Sequence, residues 1–387
     1  MRGLLAYIDG REQEMLAFLE QIVNMDSGTL DKAGIDRLGS FLAERLETLG
    51  FAVERARQTQ YGDHVIGRKA GSGSRSILFV GHIDTVFSSG TAAVRPFRID
   101  GGRAYGPGVL DMKGGVATLI FALDALKATG HPSYEQVGMT VIFNTDEEVG
   151  SPSSRELIEA EARKAQTACV FEPARPGGEY VIARKGVGRY RVEVKGRAAH
   201  AGVQPEQGRS AVLELAHKII ALHALNDFSR GTTVNVGVIR GGDRSNVVAA
   251  EASGDIDVRV RTLAEAQRLE ASFQEIAGSC ALPDTTTTIT GRLGRGPMEQ
   301  TPQARRLFEK VQEIGRGLKL ELKGIATGGG SDGNLTAQHT PTVDGMGPQG
   351  SEAHSDREFI EVATLVERVK VTALILASWP ETIAQIG

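Results

Sequence analysis

Seven polar residues stand where apolar runs of this chain end. They are His82 and Asp84 in GHIDT, Asp111 in GPGVLDMKGG, Glu147 and Glu148 in NTDEEVGS, Glu172 in FEP and His354 in EAHSD. Imidazole and carboxylate are ligands of zinc-like ions, and one carboxylate can bridge a metal pair. NTDEEVGS is the sharpest case, because Asp146, Glu147 and Glu148 follow just two residues after the apolar run 139–143. Adjacent carboxylates repel and are costly to desolvate, so either they face water or a cation sits among them. Alone, each residue has a plainer reading. His82 reads as a surface or satisfied core histidine, and Asp84 as a turn residue. Asp111 reads as an Asx-turn or helix cap, and Glu147 and Glu148 as solvated acids of a first helical turn. FEP and HSD are weak by themselves. The recurrence of such residues at successive strand ends is what favours metal.

The elements that must position them follow from periodicity. Residues 76–85, 139–144 and 168–173 read as buried strands, each ending in polar residues. Helical spacing covers 12–25, 33–49 (stopped by Gly50), 113–129 (stopped by Gly130) and the stretch SSRELIEAEARK. Strands alternating with helices imply an α/β sheet with mostly parallel strands, and such sheets place ligands at the C-terminal strand ends. The pattern changes near Lys185. A half-exposed strand at 189–197, a helix at 207–226, strands at 232–240 and 251–260, a helix at 263–278 and a strand at 285–291 make the split βαβ order of a ferredoxin-like domain. The α/β pattern then returns, with a helix at 302–317, strands near Ile325 and at 341–346, and a helix at 360–379. The expected architecture is an α/β catalytic domain, residues 1–185 and 296–387, interrupted by an α+β insert, residues 186–295.

Composition narrows the function. The 387 residues are too many for one ordinary core, and 41% apolar with 24% charged residues is ordinary for a soluble globular protein. A net charge of −4 gives no electrostatic case for nucleic acid or an anionic membrane surface. No apolar run approaches a membrane span, and charges interrupt the N-terminal stretch where a signal peptide would be apolar. Cys169 and Cys280 stand in no metal-like spacing, and two free thiols fit a reducing, cytoplasmic compartment.

The motifs GHIDTVF, AYGPGVLDMKGG, FNTDEEVGSPSSRELI, FEP, GRAAHAG, TGGGSDGN and AHSD run from one end of the chain to the other. In that order they resemble the dimetal exopeptidase and deacylase family that contains glutamate carboxypeptidase of the carboxypeptidase G type, acetylornithine deacetylase and succinyl-diaminopimelate desuccinylase. VNMDSGT, PFRIDGGRAYGPG and FNTDEEVGS bring the chain nearest the carboxypeptidase G branch. The resemblance implies two Zn²⁺ per chain, with Co²⁺ or Mn²⁺ as alternatives. His82 and Glu172 would hold one ion, Glu148 and His354 the other, and Asp111 would bridge both. Asp84 would orient His82, and the Asp111–Met112 peptide would be cis. Glu147 would act as general base and then acid, while Asp146 is assigned only a structural role.

The same resemblance makes the insert a lid and dimerisation domain of a homodimer. His200 would stabilise the oxyanion, often from the partner subunit. Asn246, Arg259 and Arg295, with Arg292 as a rival, would bind the substrate carboxylate or oxyanion region, and the backbone around Gly329 would approach a substrate carboxylate. The implied substrate is a small N-acyl amino acid or peptide with a free carboxylate, releasing C-terminal glutamate or a similar residue. The alternatives are an N-acyl amino acid deacylase and, from another class, a binding protein that has lost catalysis. Intact candidate ligands and base argue against the last.

Overall fold

The computed structural model describes residues 2–74 and 76–379. By internal contacts the chain divides into two compact units, one of residues 1–183, 300–327 and 331–387, the other of 184–299 with 328–330.

The first unit is built on a six-stranded sheet in the order Ala52–Ala56, His64–Lys69, Gly138–Asn144, Ser76–His82, Ala168–Val170, Thr342–Val343. The two outermost pairings on the N-terminal side are antiparallel, and the remaining three are parallel. The middle strands are apolar along their length and buried, as strands covered on both faces must be. Parallel pairing aligns their C-terminal ends on one edge, with His82 opposite Asn144 and Val80 opposite Val170. Helix Gly114–Ala128 is buried on nearly every side and lies hard against that edge. A Cβ on Gly115 would fall 1.9 Å from the Phe171 carbonyl oxygen, so only glycine allows this approach.

Two features were not legible beforehand. Strands Ala52–Ala56 and His64–Lys69 extend the sheet. A separate four-stranded sheet joins Gly350–Ser351, Phe359–Glu361, Arg103–Tyr105 and Arg98–Asp100. Its strands are two or three residues long and rich in charge, too short to show a period. The expected strand at 341–346 shrinks to Thr342–Val343, and the expected helix at 360–379 runs Val362–Ala377 after a short strand. The α/β class with a mostly parallel sheet stands.

The second unit has strands Gly186–Lys195, Thr233–Gly241, Glu251–Val260 and Thr286–Arg295, with helices Ala211–His223 and Leu263–Gly278. Its sheet order places 233–241 and 286–295 on the edges and is antiparallel throughout, the ferredoxin-like arrangement. Alternation sends Val192, Val194, Ile256 and Val258 onto Leu215, Leu222 and Phe273 of the helices. The last strand runs beyond the expected 285–291, to Arg295, with a register shift between Leu293 and Arg295. Side-chain oxygens of Ser210 and Thr262 cap the two helices.

Glu214 and Lys218 form a buried pair at 3.1 Å. Glu214 also accepts from the Ala281 and Leu282 N–H groups at 3.0 and 2.7 Å, and Lys218 donates to the Ile276 carbonyl at 2.7 Å. Removing one partner strands a buried charge. Glu214→Ala should therefore destabilise the insert by ~3–5 kcal/mol, read as faster amide exchange in the insert and an earlier denaturant midpoint.

Candidate active site

The parallel edge gathers the polar residues singled out above. The imidazole of His82 is buried, with Nε2 3.0 Å from Asp111 Oδ1 and 3.8 Å from Glu172 Oε1. The other oxygen, Asp111 Oδ2, lies 3.2 Å from His354 Nε2, which is also 3.2 Å from Glu148 Oε2. Asp111 thus presents one oxygen to each imidazole. Ligand atoms of His82, Asp111 and Glu148 fall within 4.8 Å of one another, and so do those of His82, Glu147 and Glu172.

Each side chain is placed by local structure. His82 closes its strand, and Glu147 and Glu148 open a single helical turn, Glu147–Val149. Asp111 sits in a turn with a cis Asp111–Met112 peptide. His354 is held with φ 63°, a left-handed backbone uncommon outside glycine. His82 Nδ1 meets the Asp84 backbone carbonyl at 3.0 Å, while the nearer Asp84 carboxylate oxygen is 3.5 Å away. That carboxylate instead accepts from Thr29 Oγ1 at 2.8 Å and from the Glu147 and Glu148 N–H groups at 3.2 and 3.3 Å. Asp84 therefore ties the acidic turn to the His82 loop. Asp146 accepts from the Ser153 and Ser154 N–H and hydroxyl groups, which fixes the segment following the two glutamates.

The electrostatics show a site that lacks positive charge. Burial would lower His82, but Asp111, Asp84 and Glu172 outweigh it and hold the imidazole well above its usual range. His354 is pushed up to about 10 by Asp111 and Glu148. Burial, reinforced by the charge of Asp111, raises Glu172 well above the carboxylate range. Protons are thus drawn to a cluster whose neutral state would otherwise require a cation. Glu148 Oε1 is buried with no protein partner. An orphaned carboxylate oxygen beside imidazoles and a shared carboxylate is a donor set that fits divalent metal.

Residues that sequence reasoning missed support this edge. Glu358 is buried and accepts from three backbone N–H groups of the Asp111 turn, at Gly108, Leu110 and Asp111. Lys113 is buried, donates to the Met25 carbonyl at 2.8 Å, and is lowered to about 7 by burial. Neither has a signal in the sequence, because their partners are backbone atoms and a distant segment.

The remaining expected site residues belong to the second unit. His200 is exposed; its Nδ1 accepts from the Gly202 N–H at 3.1 Å. The Ala201 N–H donates to the Asn246 carbonyl at 3.0 Å, so the loops of His200 and Asn246 lie side by side. Arg259 is bidentate to Asp257 at 2.9 and 3.0 Å. Arg295 is buried and a Cβ on Gly330 would meet it at 3.5 Å, whereas Arg292 is exposed. The Gly329 carbonyl accepts from Arg184 at 3.2 Å.

A family model described as peptidase family M20/M25/M40 matches residues 78–378. The chain belongs to that family. Carboxypeptidase G2 of Pseudomonas sp. (strain RS-16) is 33% identical over 367 residues, covering 92% of this chain and 87% of the relative. Succinyl-diaminopimelate desuccinylase of Delftia acidovorans (strain DSM 14801 / SPH-1) is 29% identical over 378 residues, covering 90% and 94%. Among solved structures, aminopeptidase PepT from Bacillus cereus ATCC 10987 matches with a TM-score of 0.79 at 23% identity, covering 96% of this chain and 99% of that one; this likeness speaks for the fold. This M20 chain is a metallohydrolase, of a family in which dinuclear zinc is typical. Among its described residues, no helix is long and apolar enough to cross a membrane.

His64 buttresses the acidic turn of this M20 chain, with Nδ1 3.0 Å from Thr145 Oγ1 and Nε2 3.1 Å from Ser153 Oγ. Burial holds its pKa below the ordinary value of 6.5. The unfolded chain therefore binds more protons below pH 6.5, and stability falls as pH drops through that window but is flat in this respect above it. Denaturant unfolding at a series of pH values should show this slope, and His64→Asn should flatten it.

Proposed function

We propose that this M20 chain is a dizinc exopeptidase of the glutamate carboxypeptidase kind, cleaving the amide next to a free-carboxylate residue and releasing glutamate or a similar amino acid. The observation that carries the metal reading is Asp111, whose two oxygens face His82 and His354 separately. His82 and Glu172 would hold one ion, Glu148 and His354 the other, with Asp111 shared. When bound, the ions supply an acidified water and polarise the scissile carbonyl. Glu147 accepts the proton of the attacking water and returns it to the leaving amine nitrogen. Asp84 steadies both partners, through the His82 loop and the N–H groups of the two glutamates. The glutamate preference is supported by the identity to carboxypeptidase G2 across most of both chains. The desuccinylase relative supports a second reading, N-acyl amino acid deacylation on the same centre. Both thiols are free, in keeping with a cytoplasmic setting.

A homodimer paired through the insert completes the proposal. Strand Thr233–Gly241 is a sheet edge, and Val238 and Ile239 on it are exposed, as are Val212, Leu213 and Ile220 on helix Ala211–His223. An unpaired apolar edge beside an apolar helix face suits a two-fold partner. His200 would donate to the oxyanion, with Asn246, Arg259, Arg295 and the backbone around Gly329 binding the substrate carboxylate.

Three measurements test this reading. Zinc-loaded protein offered N-acyl-glutamates and folates should release free glutamate, and chelation should abolish it; release of acetate or succinate from basic N-acyl amino acids would favour the deacylase instead. Glu147→Gln should lose several orders of magnitude in kcat with both metals retained, whereas Glu148→Ala should lose metal; the reverse pattern would exchange the two roles. His200→Ala should lower kcat by roughly 10²–10³. If His200 serves the partner subunit, mixing His200→Ala with Glu147→Ala chains restores activity in verified heterodimers. No recovery confines His200 to its own chain or removes it from the chemistry.

A further inference from the structure

We propose that Glu358 is a positioning residue for the metal centre: its carboxylate locks the backbone of the Asp111 turn so that Asp111 offers one oxygen to each of two cations. The inference rests on reading Asp111 as the shared ligand.

The turn cannot satisfy itself. Gly108 has φ 71°, and Asp111 (φ −113°, ψ 94°) and Met112 (φ −132°, ψ 37°) are outside helical geometry. The N–H groups of Gly108, Leu110 and Asp111 therefore need acceptors from elsewhere. Glu358, 1% exposed, supplies them all. Its Oε2 accepts from Gly108 at 3.1 Å, and its Oε1 from Leu110 at 2.8 Å and Asp111 at 2.9 Å. Three N–H donors held on the two oxygens of one buried side chain fix the turn at three points, which makes Glu358 a stiff clamp.

The clamp is itself held. The next three residues pair with the strand that leads into the turn, Phe359 with Tyr105, Ile360 with Ala104 and Glu361 with Arg103. Four residues before Glu358, His354 reaches the side chain of the same aspartate. One short segment thus grips Asp111 twice, at its N–H and at its carboxylate. Asp111 has no slack to spare: Oδ1 is 3.0 Å from His82 and Oδ2 is 3.2 Å from His354, so a backbone rotation that favours one side withdraws the other. Three donors on two oxygens also leave no room for an amide. The NH₂ of a glutamine would face either the Gly108 N–H or the Leu110 and Asp111 pair, donor against donor.

The test uses the full chain stripped of metal by chelation, with Zn²⁺ as the probe. In Glu358→Gln, competition against a chromophoric chelator should show the weaker Zn²⁺ bound roughly 10–100-fold less tightly, the scale of outer-shell changes at metal sites. At saturating Zn²⁺, kcat should fall about tenfold with KM within about twofold, because the loss lies in the centre and not in substrate binding. Amide exchange at Leu110 and Asp111 in the metal-free protein should accelerate. Glu358→Met, which removes both acceptor oxygens and so all three hydrogen bonds, should exceed Glu358→Gln in every readout; if it does not fold, Glu358→Gln alone decides. Unchanged Zn²⁺ affinity and kcat in Glu358→Gln, whatever its melting temperature, would overturn the proposal and leave Glu358 a structural residue only. Asp111→Asn keeps the two failures apart: if it binds two Zn²⁺ as tightly as the parent, the shared-ligand reading is what has failed.

Discussion

Four carboxylates converge on one edge of a parallel sheet, and their mutual repulsion is the constraint around which the first unit is arranged. Asp111, Glu147, Glu148 and Glu172 would drive the edge apart if left to themselves. The fold answers at two levels. Two imidazoles stand between the acids, at 3.0 and 3.2 Å from the shared aspartate. Backbone N–H groups are turned onto the acids that lie behind, at Asp84, Asp146 and Glu358. The orphaned oxygen of Glu148 marks where the compensation from protein atoms ends.

This division between front and rear acids explains why so many carboxylates can share a small volume. The rear ones are saturated by N–H and hydroxyl donors and serve as struts. Asp84 shows the pattern: it accepts from Thr29, Glu147 and Glu148 while its own carbonyl orients His82. The front ones keep oxygens directed at each other and at the imidazoles. Rigid supports behind ligands are a general property of metal sites, and the struts of this edge come from three separate stretches of chain.

What the sequence revealed and what it hid divide along the same line. Apolar runs such as 76–80 and 139–143 announce buried strands, and their polar ends then announce the edge, so His82, Glu147, Glu148 and Glu172 were visible as a set. The half-exposed pattern of 189–197 likewise marked one of the insert's two central strands. Glu358 was invisible because its partners are backbone N–H groups 247 to 250 residues away, and no side-chain pattern encodes those. The strands of the small sheet were invisible because two or three residues carry no period. The hydrogen bond of His82 Nδ1 to the Asp84 carbonyl, shorter than the approach to its carboxylate, is a matter of rotamer and loop geometry that residue types cannot decide.

The small sheet that pairs Phe359–Glu361 with Arg103–Tyr105 has a consequence in time. His82, Asp111, Glu147, Glu148 and Glu172 all leave the ribosome well before His354 and Glu358, with the whole insert in between. A chain still being synthesised carries the acids of the edge without the segment that clamps the Asp111 turn and brings the second imidazole. Contacts of such sequence separation form slowly because a long loop must close first. The centre therefore matures from the carboxylate-rich half inward, and its last piece arrives only after the whole insert has been made.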